Sequence, residues 1–146
     1  MRLIVTGHDD LGRSIVVSDQ ELADTGMVSL FTANLAEPDV VVAAADPHIA
    51  SVPTSGSASW MLVDVSPEDQ MRAALAQGVV GIDADGWHTT PTIDFVQITN
   101  GTITLALDTA EVELHAGDCV VQRATRHAWR NHTTTPVRLA ALMVSL

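Results

Sequence analysis

Two stretches near the C-terminus carry side chains whose types and spacing could support chemistry. In the stretch 86–101, four positions share a parity and would point to one face of an unbroken strand: His88, Thr90, Thr92 and Asp94. In the stretch 117–131, His127 follows a second apolar run. Two histidines and one carboxylate that converge are a set suited to Fe(II), Mn(II), Ni(II) or Zn(II), with positions open for substrate or water.

The same residues allow an interpretation without a metal. Thr90, between His88 and Asp94, is a poor metal ligand, so the histidines can instead be hydrogen-bonded groups of a barrel interior. The catalytic set would then orient a carbonyl or hydroxyl group of a substrate, and its members are His88, Asp94, Gln122 and His127. Spacing alone leaves both interpretations open. We favour the polar anchor and no cofactor, with a single divalent metal at His88, Asp94 and His127 as the alternative.

Short runs separated by turn residues predict a β-sandwich or barrel from residue 87 onward. Asn100-Gly101 is typical of a tight hairpin turn. The last run is apolar at both parities over 139–146, which predicts that both of its faces are covered. The expected strands are 87–99, 102–107, 111–114, 119–123, 127–131 and 137–146.

A strand over 60–65 and a short helix come before these runs. Ser66 is expected to cap a helix near residues 67–77, because Pro67 follows at the first helical position and acidic residues occupy the first turn. Gly78 is the natural end of this helix.

One domain accommodates all 146 residues. We divide it into an N-terminal part, 1–59, and a barrel core, 60–146. Short β-branched runs at 2–5 and 14–18, joined by glycines and acids, predict a hairpin. Residues 27–31 predict one more strand.

An arm is expected over residues 32–59, where Ala, Pro, Asp and Ser are frequent. Because prolines interrupt regular structure, we expect a meandering path with one short strand at Val40–Val42. His48 follows a proline and is expected to be exposed rather than catalytic.

Composition excludes several classes of partner. Hydrophobic residues make up 47% and charged residues 17%, which is enough apolar content for a buried core. The formal net charge of -11 argues against nucleic-acid and anionic-membrane partners, because both need a basic face. We recognise no signal peptide or membrane span and expect a cytoplasmic protein. The single Cys119 lies in an apolar run and is expected to be a buried, reduced thiol.

These motifs resemble those of the cupin superfamily of small β-barrels. The first cupin motif, with two histidines, an acid and a closing glycine, corresponds here to His88, Thr90, Asp94 and Gly101. The second corresponds to Gly117-Asp118, His127 and Asn131. The run Val-Gln-Arg…His-Ala-Trp-Arg-Asn resembles a bacterial and fungal subgroup, in which an arginine and an acid would stand at Thr89 and Pro91.

The resemblance covers residues 60–146 and implies an all-β fold. This fold is a cupin-type β-barrel, also described as a jelly roll or double-stranded β-helix, with the short helix near residues 67–77. The resemblance also implies a homodimer. As an alternative function it implies a metal-dependent lyase, decarboxylase, isomerase or oxygenase. In such an enzyme a substrate carboxylate would be held by Arg123, Arg126 or Arg130.

We favour an enzyme that binds a largely apolar, polyketide-type natural-product intermediate inside the barrel. It would promote cyclisation, including cycloaddition, or isomerisation, because holding two ends of one molecule together lowers a barrier without acid, base or metal. The precedent for small barrel proteins in ring formation is one of analogy. The expected substrate-binding residues are Trp60, Met61, Met71, Trp87, Thr90, Thr92 and Trp129. A third hypothesis is a non-catalytic ligand-binding cupin.

Overall fold

A computed structural model of the chain describes residues 2–8, 10, 13–21, 26–36, 52–79 and 81–146. Within these ranges the chain forms ten strands and one helix. The strands are β1 (Arg2–His8), β2 (Ser14–Glu21), β3 (Met27–Asn34), β4 (Ser57–Val65), β5 (Thr92–Ile98), β6 (Thr102–Leu107), β7 (Glu111–His115), β8 (Cys119–Arg123), β9 (His127–Arg130) and β10 (Val137–Ser145). The helix α1 is Glu68–Leu75.

Three antiparallel sheets organise these strands. β1 and β2 form a hairpin, and β7, β6 and β9 form a three-stranded sheet in that order. The five-stranded sheet has the order β3, β4, β10, β5, β8. β10 therefore lies between β4 and β5, and it is hydrogen-bonded to both along most of its length.

Alternation along β5 divides the interior of the barrel into an apolar and a polar end. Thr92, Asp94, Val96 and Ile98 all point inward and are buried, whereas Phe95 between them is exposed. The apolar core lies at the Val96 and Ile98 end and also contains Met61, Val65, Ile103, Leu105, Leu114, Val137, Leu139 and Ala141. The Thr92 and Asp94 end is where polar side chains collect.

The expected all-β fold with one short helix is confirmed, and its antiparallel sheets are consistent with a cupin-type barrel. The strands expected at 102–107 and 119–123 have the predicted bounds. The expected hairpin is present as β1 and β2, although both strands extend further than predicted.

The strand expected over 87–99 is shorter than predicted, because β5 begins only at Thr92. Pro91 has no backbone N–H to contribute to a ladder, so regular pairing starts after it. His88 lies before this break and makes isolated bridges to Ile82 and His127. The premise of one unbroken strand from residue 88 to residue 94 is therefore wrong.

The helix α1 starts differently from the prediction. Pro67, not Ser66, occupies the N-cap position, and no side chain caps the helix. The carbonyl of Pro67 accepts a hydrogen bond from the backbone N–H of Met71 at 2.9 Å. The helix ends at Leu75 with Ala76 as its C-cap, two residues before the predicted end, and Gly78 follows with a φ of 85°. No helix in the described part of the chain is long and apolar enough to cross a membrane.

Two burial predictions are wrong on the outer face of the five-stranded sheet. Cys119 is exposed, because β8 is an edge strand whose residues 119, 121 and 123 face outward. The outer face of β10 is only partly covered, since Leu142 is 40% exposed. Leu142 is paired with Trp60 and Phe95, which are 45% and 48% exposed on the same face.

The N-terminal part contributes to the main sheet. β3 is longer than the expected strand over 27–31 and pairs with β4. β4 itself begins at Ser57, so the division drawn at residue 60 falls inside a strand. The strand expected at Val40–Val42 and the exposure expected for His48 lie outside the described residues.

Gly101 is predicted to be required at the turn between β5 and β6. Its φ is 70°, and an added Cβ would lie 3.0 Å from a Val137 side-chain carbon in the core. Gly56 has a similar φ of 79° but nothing within 4 Å of an added Cβ. Gly101→Ala should therefore lower the free energy of unfolding by about 1–3 kcal/mol more than Gly56→Ala, because it adds overpacking to backbone strain. Urea denaturation of both variants measures this difference, and equal losses would contradict the assigned clash.

Candidate functional site

A reciprocal backbone bridge brings the two predicted histidines together. The His88 N–H donates to the His127 carbonyl and the His127 N–H donates to the His88 carbonyl, each at 3.0 Å. The ring centroids are 4.2 Å apart, with planes tilted by 58°. Because His127 begins β9, the bridge joins the loop before β5 to the three-stranded sheet.

Each imidazole donates to a backbone carbonyl through Nδ1. His88 Nδ1 lies 3.0 Å from the Gly86 oxygen, and His127 Nδ1 lies 2.9 Å from the Thr125 oxygen. A carbonyl oxygen only accepts, so Nδ1 carries the proton in both rings. With Nδ1 bonded to the backbone, Nε2 is in each ring the remaining nitrogen for a further hydrogen bond.

Asp94 and Gln122 are the polar pair on the five-stranded sheet. They are directly opposite each other on β5 and β8 and are only 5% and 4% exposed. One atom of each, Asp94 Oδ1 and Gln122 Nε2, has no hydrogen-bond partner. At the start of β5 the hydroxyls of Thr90 and Thr92 are hydrogen-bonded to each other at 2.8 Å.

Burial favours the uncharged forms of Asp94 and His127 in this site. Loss of water raises the pKa of Asp94, and this effect exceeds the opposing effects of the Thr92 hydroxyl and the His88 charge. Loss of water also lowers the pKa of His127 to about 4, against the hydrogen bond to Thr125. Both shifts favour the uncharged form, so the site is suited to exchanging hydrogen bonds with an uncharged group.

The residues do not fit the predicted metal site. Among the residues that the structure describes, no three histidine, cysteine, aspartate or glutamate side chains are grouped so as to hold a metal ion. Thr90 stands where another histidine would complete the set, and its hydroxyl is engaged by Thr92.

The predicted substrate-binding residues lie in four different places. We call the side chains of His88, Asp94, Gln122 and His127 the polar group. Thr90 and Thr92 border this group, and Met61 is buried in the apolar core. Trp60 lies on the outer face of the sheet. Met71 and Trp129 line a groove beside α1, and this groove does not include His88, Asp94, Gln122 or His127.

Trp129 and Trp87 have different neighbours. The Trp129 ring lies edge-on to His127, with centroids 6.2 Å apart. Trp87 is covered by arginines, with the Arg126 guanidinium 4.2 Å and the Arg130 guanidinium 5.7 Å from its ring centroid. Such cation–π contacts hold the two arginines against the Trp87 ring. We call the surface formed by Trp87, Arg126 and Arg130 the rim of the site.

The candidate arginines already have protein partners. Arg126 forms an ion pair with Asp108 at 2.8 Å, and Arg130 donates to the backbone oxygen of Asp85. Arg123 is exposed. The structure therefore assigns two of the three to contacts at the rim.

Asp64 on β4 has a structural role. It forms a two-pronged ion pair with Arg138, at 2.7 and 3.0 Å, and accepts a hydrogen bond from the Gly26 backbone at 2.8 Å. The Arg138 hydrogen bond lowers the pKa of the Asp64 carboxyl. These contacts join the beginning of β3 to β4 and β10.

Asn131, the last residue of the second motif, is also structural. Its amide nitrogen donates to the carbonyls of Val65 and Thr135, both at 2.8 Å. Its oxygen accepts from the backbone and the hydroxyl of Thr133 at 2.9 and 2.7 Å. The side chain is 1% exposed, so it satisfies four buried or half-buried groups and fixes the chain after β9.

Sequence analysis missed Ser59 and Met143. Ser59 has the parity of Met61 and points into the barrel, where its hydroxyl has no partner. Met143 lies between Ser59 and Asp94 in the sheet. The alternation of β4 would have found Ser59 if the strand had been extended three residues toward the N-terminus.

Comparison with known protein families adds to this geometry. Residues 79–145 match a family model described as Cupin_2, a cupin domain. This match supports the cupin resemblance for just under half of the chain. The Val-Gln-Arg subgroup stays a prediction.

Two relatives come from fungal biosynthesis clusters. The chain is 42% identical over 50 residues to the oryzines biosynthesis cluster protein J of Aspergillus oryzae, covering 34% of this chain and 28% of that protein. It is 45% identical over 49 residues to the phomopsin biosynthesis cluster protein C' of Diaporthe leptostromiformis, covering 33% and 26%. The matched segment thus spans only about a quarter of the length of these relatives.

The chain also matches two solved structures of cupin-domain proteins in part. One, a Cupin 2 conserved barrel domain protein from Salinispora arenicola, is 21% identical, with 66% of this chain and 71% of that chain covered and a TM-score of 0.41. The other, from Shewanella frigidimarina, is 19% identical, with 64% and 74% covered and a TM-score of 0.41.

The low pKa of His127 predicts a pH dependence of stability. The unfolded histidine titrates near 6.5 and the folded one near 4, so the unfolded state binds more protons between these values. The stability that the neutral His127 imidazole contributes is fully present above pH 6.5. The free energy of unfolding should fall by about 3 kcal/mol as the pH drops to 4. Denaturant unfolding at several pH values should show a flatter profile for His127→Gln than for the wild type. The exposed His115→Gln serves as the control, and a slope that His127→Gln leaves unchanged would refute the assignment.

Proposed function

We propose that this protein is a biosynthetic enzyme with a cupin domain, which binds a largely apolar, polyketide-type intermediate in the barrel and promotes its cyclisation or isomerisation. The supporting observation is that Asp94 Oδ1 and Gln122 Nε2, which are buried on neighbouring strands, both lack a hydrogen-bond partner. The names of the two matched fungal relatives, from oryzine and phomopsin biosynthesis clusters, support a role in a natural-product pathway.

The polar group acts on a carbonyl oxygen in this proposal. Gln122 Nε2 and the protonated carboxyl of Asp94 donate hydrogen bonds to the oxygen, which draws electron density from the conjugated system. The Nε2 lone pair of His127 accepts a hydrogen bond from a hydroxyl or enol of the same molecule. The apolar part of the substrate is folded against the barrel wall, so that the reacting carbons are held in contact.

The neutral character of the site favours an uncharged substrate over a carboxylate. A carboxylate would need a cationic partner, and at the rim Arg126 and Arg130 are engaged with Asp108 and Asp85. A carboxylate would also lose its hydration in this buried place without a cation to replace it. A decarboxylase or lyase for organic acids, the metal-dependent alternative, is therefore less well supported.

Ring closure of a linear triene that carries a conjugated ketone tests this proposal. We expect the wild type to accelerate the intramolecular cycloaddition, because orientation and carbonyl activation both lower its barrier. Gln122→Met, which keeps the size of the side chain but removes the donor, should reduce the rate about tenfold, the effect of one hydrogen bond. The rate and the ratio of stereoisomers are measured by chromatography, with and without a metal chelator.

The pH dependence provides the control for Asp94. In the wild type the rate should fall as the pH rises through the raised pKa of Asp94, since the carboxylate no longer donates. Asp94→Asn keeps a donor and should remove this dependence. Triene binding without acceleration would replace the enzyme with the non-catalytic ligand-binding hypothesis. Loss of activity on chelation would support the metal-dependent alternative instead.

We also propose that the chain forms a homodimer, as the cupin resemblance implies. A row of exposed apolar side chains crosses the outer face of the five-stranded sheet, and its members are Trp60, Leu142, Phe95 and Val121. Contiguous exposed apolar surface of this kind is typical of interfaces.

Light scattering after size-exclusion chromatography tests the dimer. The double variant Phe95→Ser/Leu142→Ser should have the mass of one chain, because it removes apolar surface from the middle of the row. Val112→Ser, at a residue 43% exposed on β7 in the other sheet, should keep the mass of the wild type. A wild-type mass of one chain would contradict the proposal.

A further inference from the structure

Three buried polar atoms in the described part of the chain have no hydrogen-bond partner. They are Ser59 Oγ, Asp94 Oδ1 and Gln122 Nε2. Their side chains are only 1%, 5% and 4% exposed, so bulk solvent does not reach them. Buried polar groups in native proteins are nearly always paired, and each exception needs a physical account.

The three atoms belong to one transverse row of the five-stranded sheet. Ser59 on β4 is opposite Met143 on β10, Met143 is opposite Asp94 on β5, and Asp94 is opposite Gln122 on β8. Directly opposite residues share a face, so all four side chains point into the barrel. With strands about 4.8 Å apart, Ser59 and Asp94 lie about 10 Å apart, separated by Met143.

The two neighbouring rows of the sheet contain none of these three unpaired atoms. The row on the core side is apolar and contains Met61, Ala141 and Val96. On the other side, Ser57 Oγ donates to the Thr54 oxygen at 2.6 Å and Ser145 Oγ accepts from the Ser57 backbone at 3.0 Å. The unpaired atoms are thus confined to a single row between an apolar layer and a satisfied polar layer.

We propose that Ser59 is a ligand-binding residue, and that the row Ser59–Met143–Asp94–Gln122 takes an uncharged, elongated molecule with an oxygen at each end and an apolar middle. One oxygen of the ligand pairs with Ser59, the other pairs with Asp94 and Gln122, and the apolar segment lies over the Met143 thioether. This inference rests on the proposed function and specifies the substrate of the same site.

The donor and acceptor types support this class of ligand. The Gln122 amide nitrogen only donates, so it needs an acceptor such as a carbonyl or hydroxyl oxygen. The Ser59 hydroxyl both donates and accepts, so it suits a hydroxyl or a carbonyl equally. No arginine or lysine belongs to the row, which leaves a carboxylate or phosphate without a counter-charge. An apolar segment is favoured in the middle because Met143 offers no strong hydrogen-bonding group.

Three linear eight-carbon probes test the inference in wild type and variants: the diol with a hydroxyl at each end, the alcohol with one hydroxyl, and the matching carboxylate. Dissociation constants are measured by calorimetry or ligand-observed NMR. We expect the wild type to bind the diol about tenfold more tightly than the single alcohol and to bind the carboxylate most weakly. Ser59→Ala should weaken diol binding about tenfold and leave the single alcohol unchanged.

Ser57→Ala is the matched control, because Ser57 is on the same strand and faces the same way but has its hydrogen bonds made. It should lower the melting temperature and leave diol binding unchanged. Ser59→Ala should keep or raise the melting temperature, since it removes an unpaired buried hydroxyl. A fall like that of Ser57→Ala would show that Ser59 already has a partner in the free protein, and would overturn the inference.

The outcomes separate this inference from the proposed function. If diol binding is the same in wild type and Ser59→Ala while Gln122→Met still slows ring closure, the role of Ser59 is refuted and the proposed enzyme stands. If Ser59→Ala loses diol affinity and no ring closure occurs in the wild type, the ligand site stands and the catalytic proposal fails. Tighter binding of the carboxylate than of the diol would refute the assigned ligand class.

Discussion

The register of β5 between β10 and β8 is the constraint on which the site depends. Side chains alternate along a strand, so this register places Thr92, Asp94, Val96 and Ile98 together on the inner face. A slip of one residue would bury Phe95 and expose the carboxyl of Asp94. The apolar end of the strand holds the register, because Ile98 is fully buried against the core. The same packing that stabilises the sheet therefore presents the polar end to the interior.

The histidine pair depends on a second, smaller constraint. Pro91 interrupts the strand, so the alternation of β5 does not extend to His88. His88 is positioned instead by the reciprocal hydrogen bonds between its backbone and that of His127, and the two ring centroids lie 4.2 Å apart. Each ring is further oriented by a carbonyl two residues earlier in the chain, at Gly86 or Thr125. The site thus combines a rigid strand pair with a loop that is fixed by backbone contacts.

Ion pairs lie outside the site, and burial favours the uncharged forms of the groups inside it. Two ion pairs lie outside the polar row, which is the row Ser59–Met143–Asp94–Gln122. Asp64 pairs with Arg138, and Asp108 pairs with Arg126. Inside the barrel, loss of water raises the pKa of Asp94 and lowers that of His127, so both groups move toward their uncharged forms. Uncharged donors and acceptors recognise polar atoms on an apolar molecule without the desolvation penalty of burying an ion.

The sequence by itself determined the all-β class, the bounds of β6 and β8, the short helix, and His88, Asp94, Gln122 and His127 as candidates, because turn residues and alternation are local signals. Tertiary structure decided where the site residues meet. The exposure of Cys119 follows from the edge position of β8, and the place of Ser59 in the polar row follows from the pairing of β4 with β10. Strand order and register are set by contacts between residues far apart in the chain, which no local pattern of a single sequence contains.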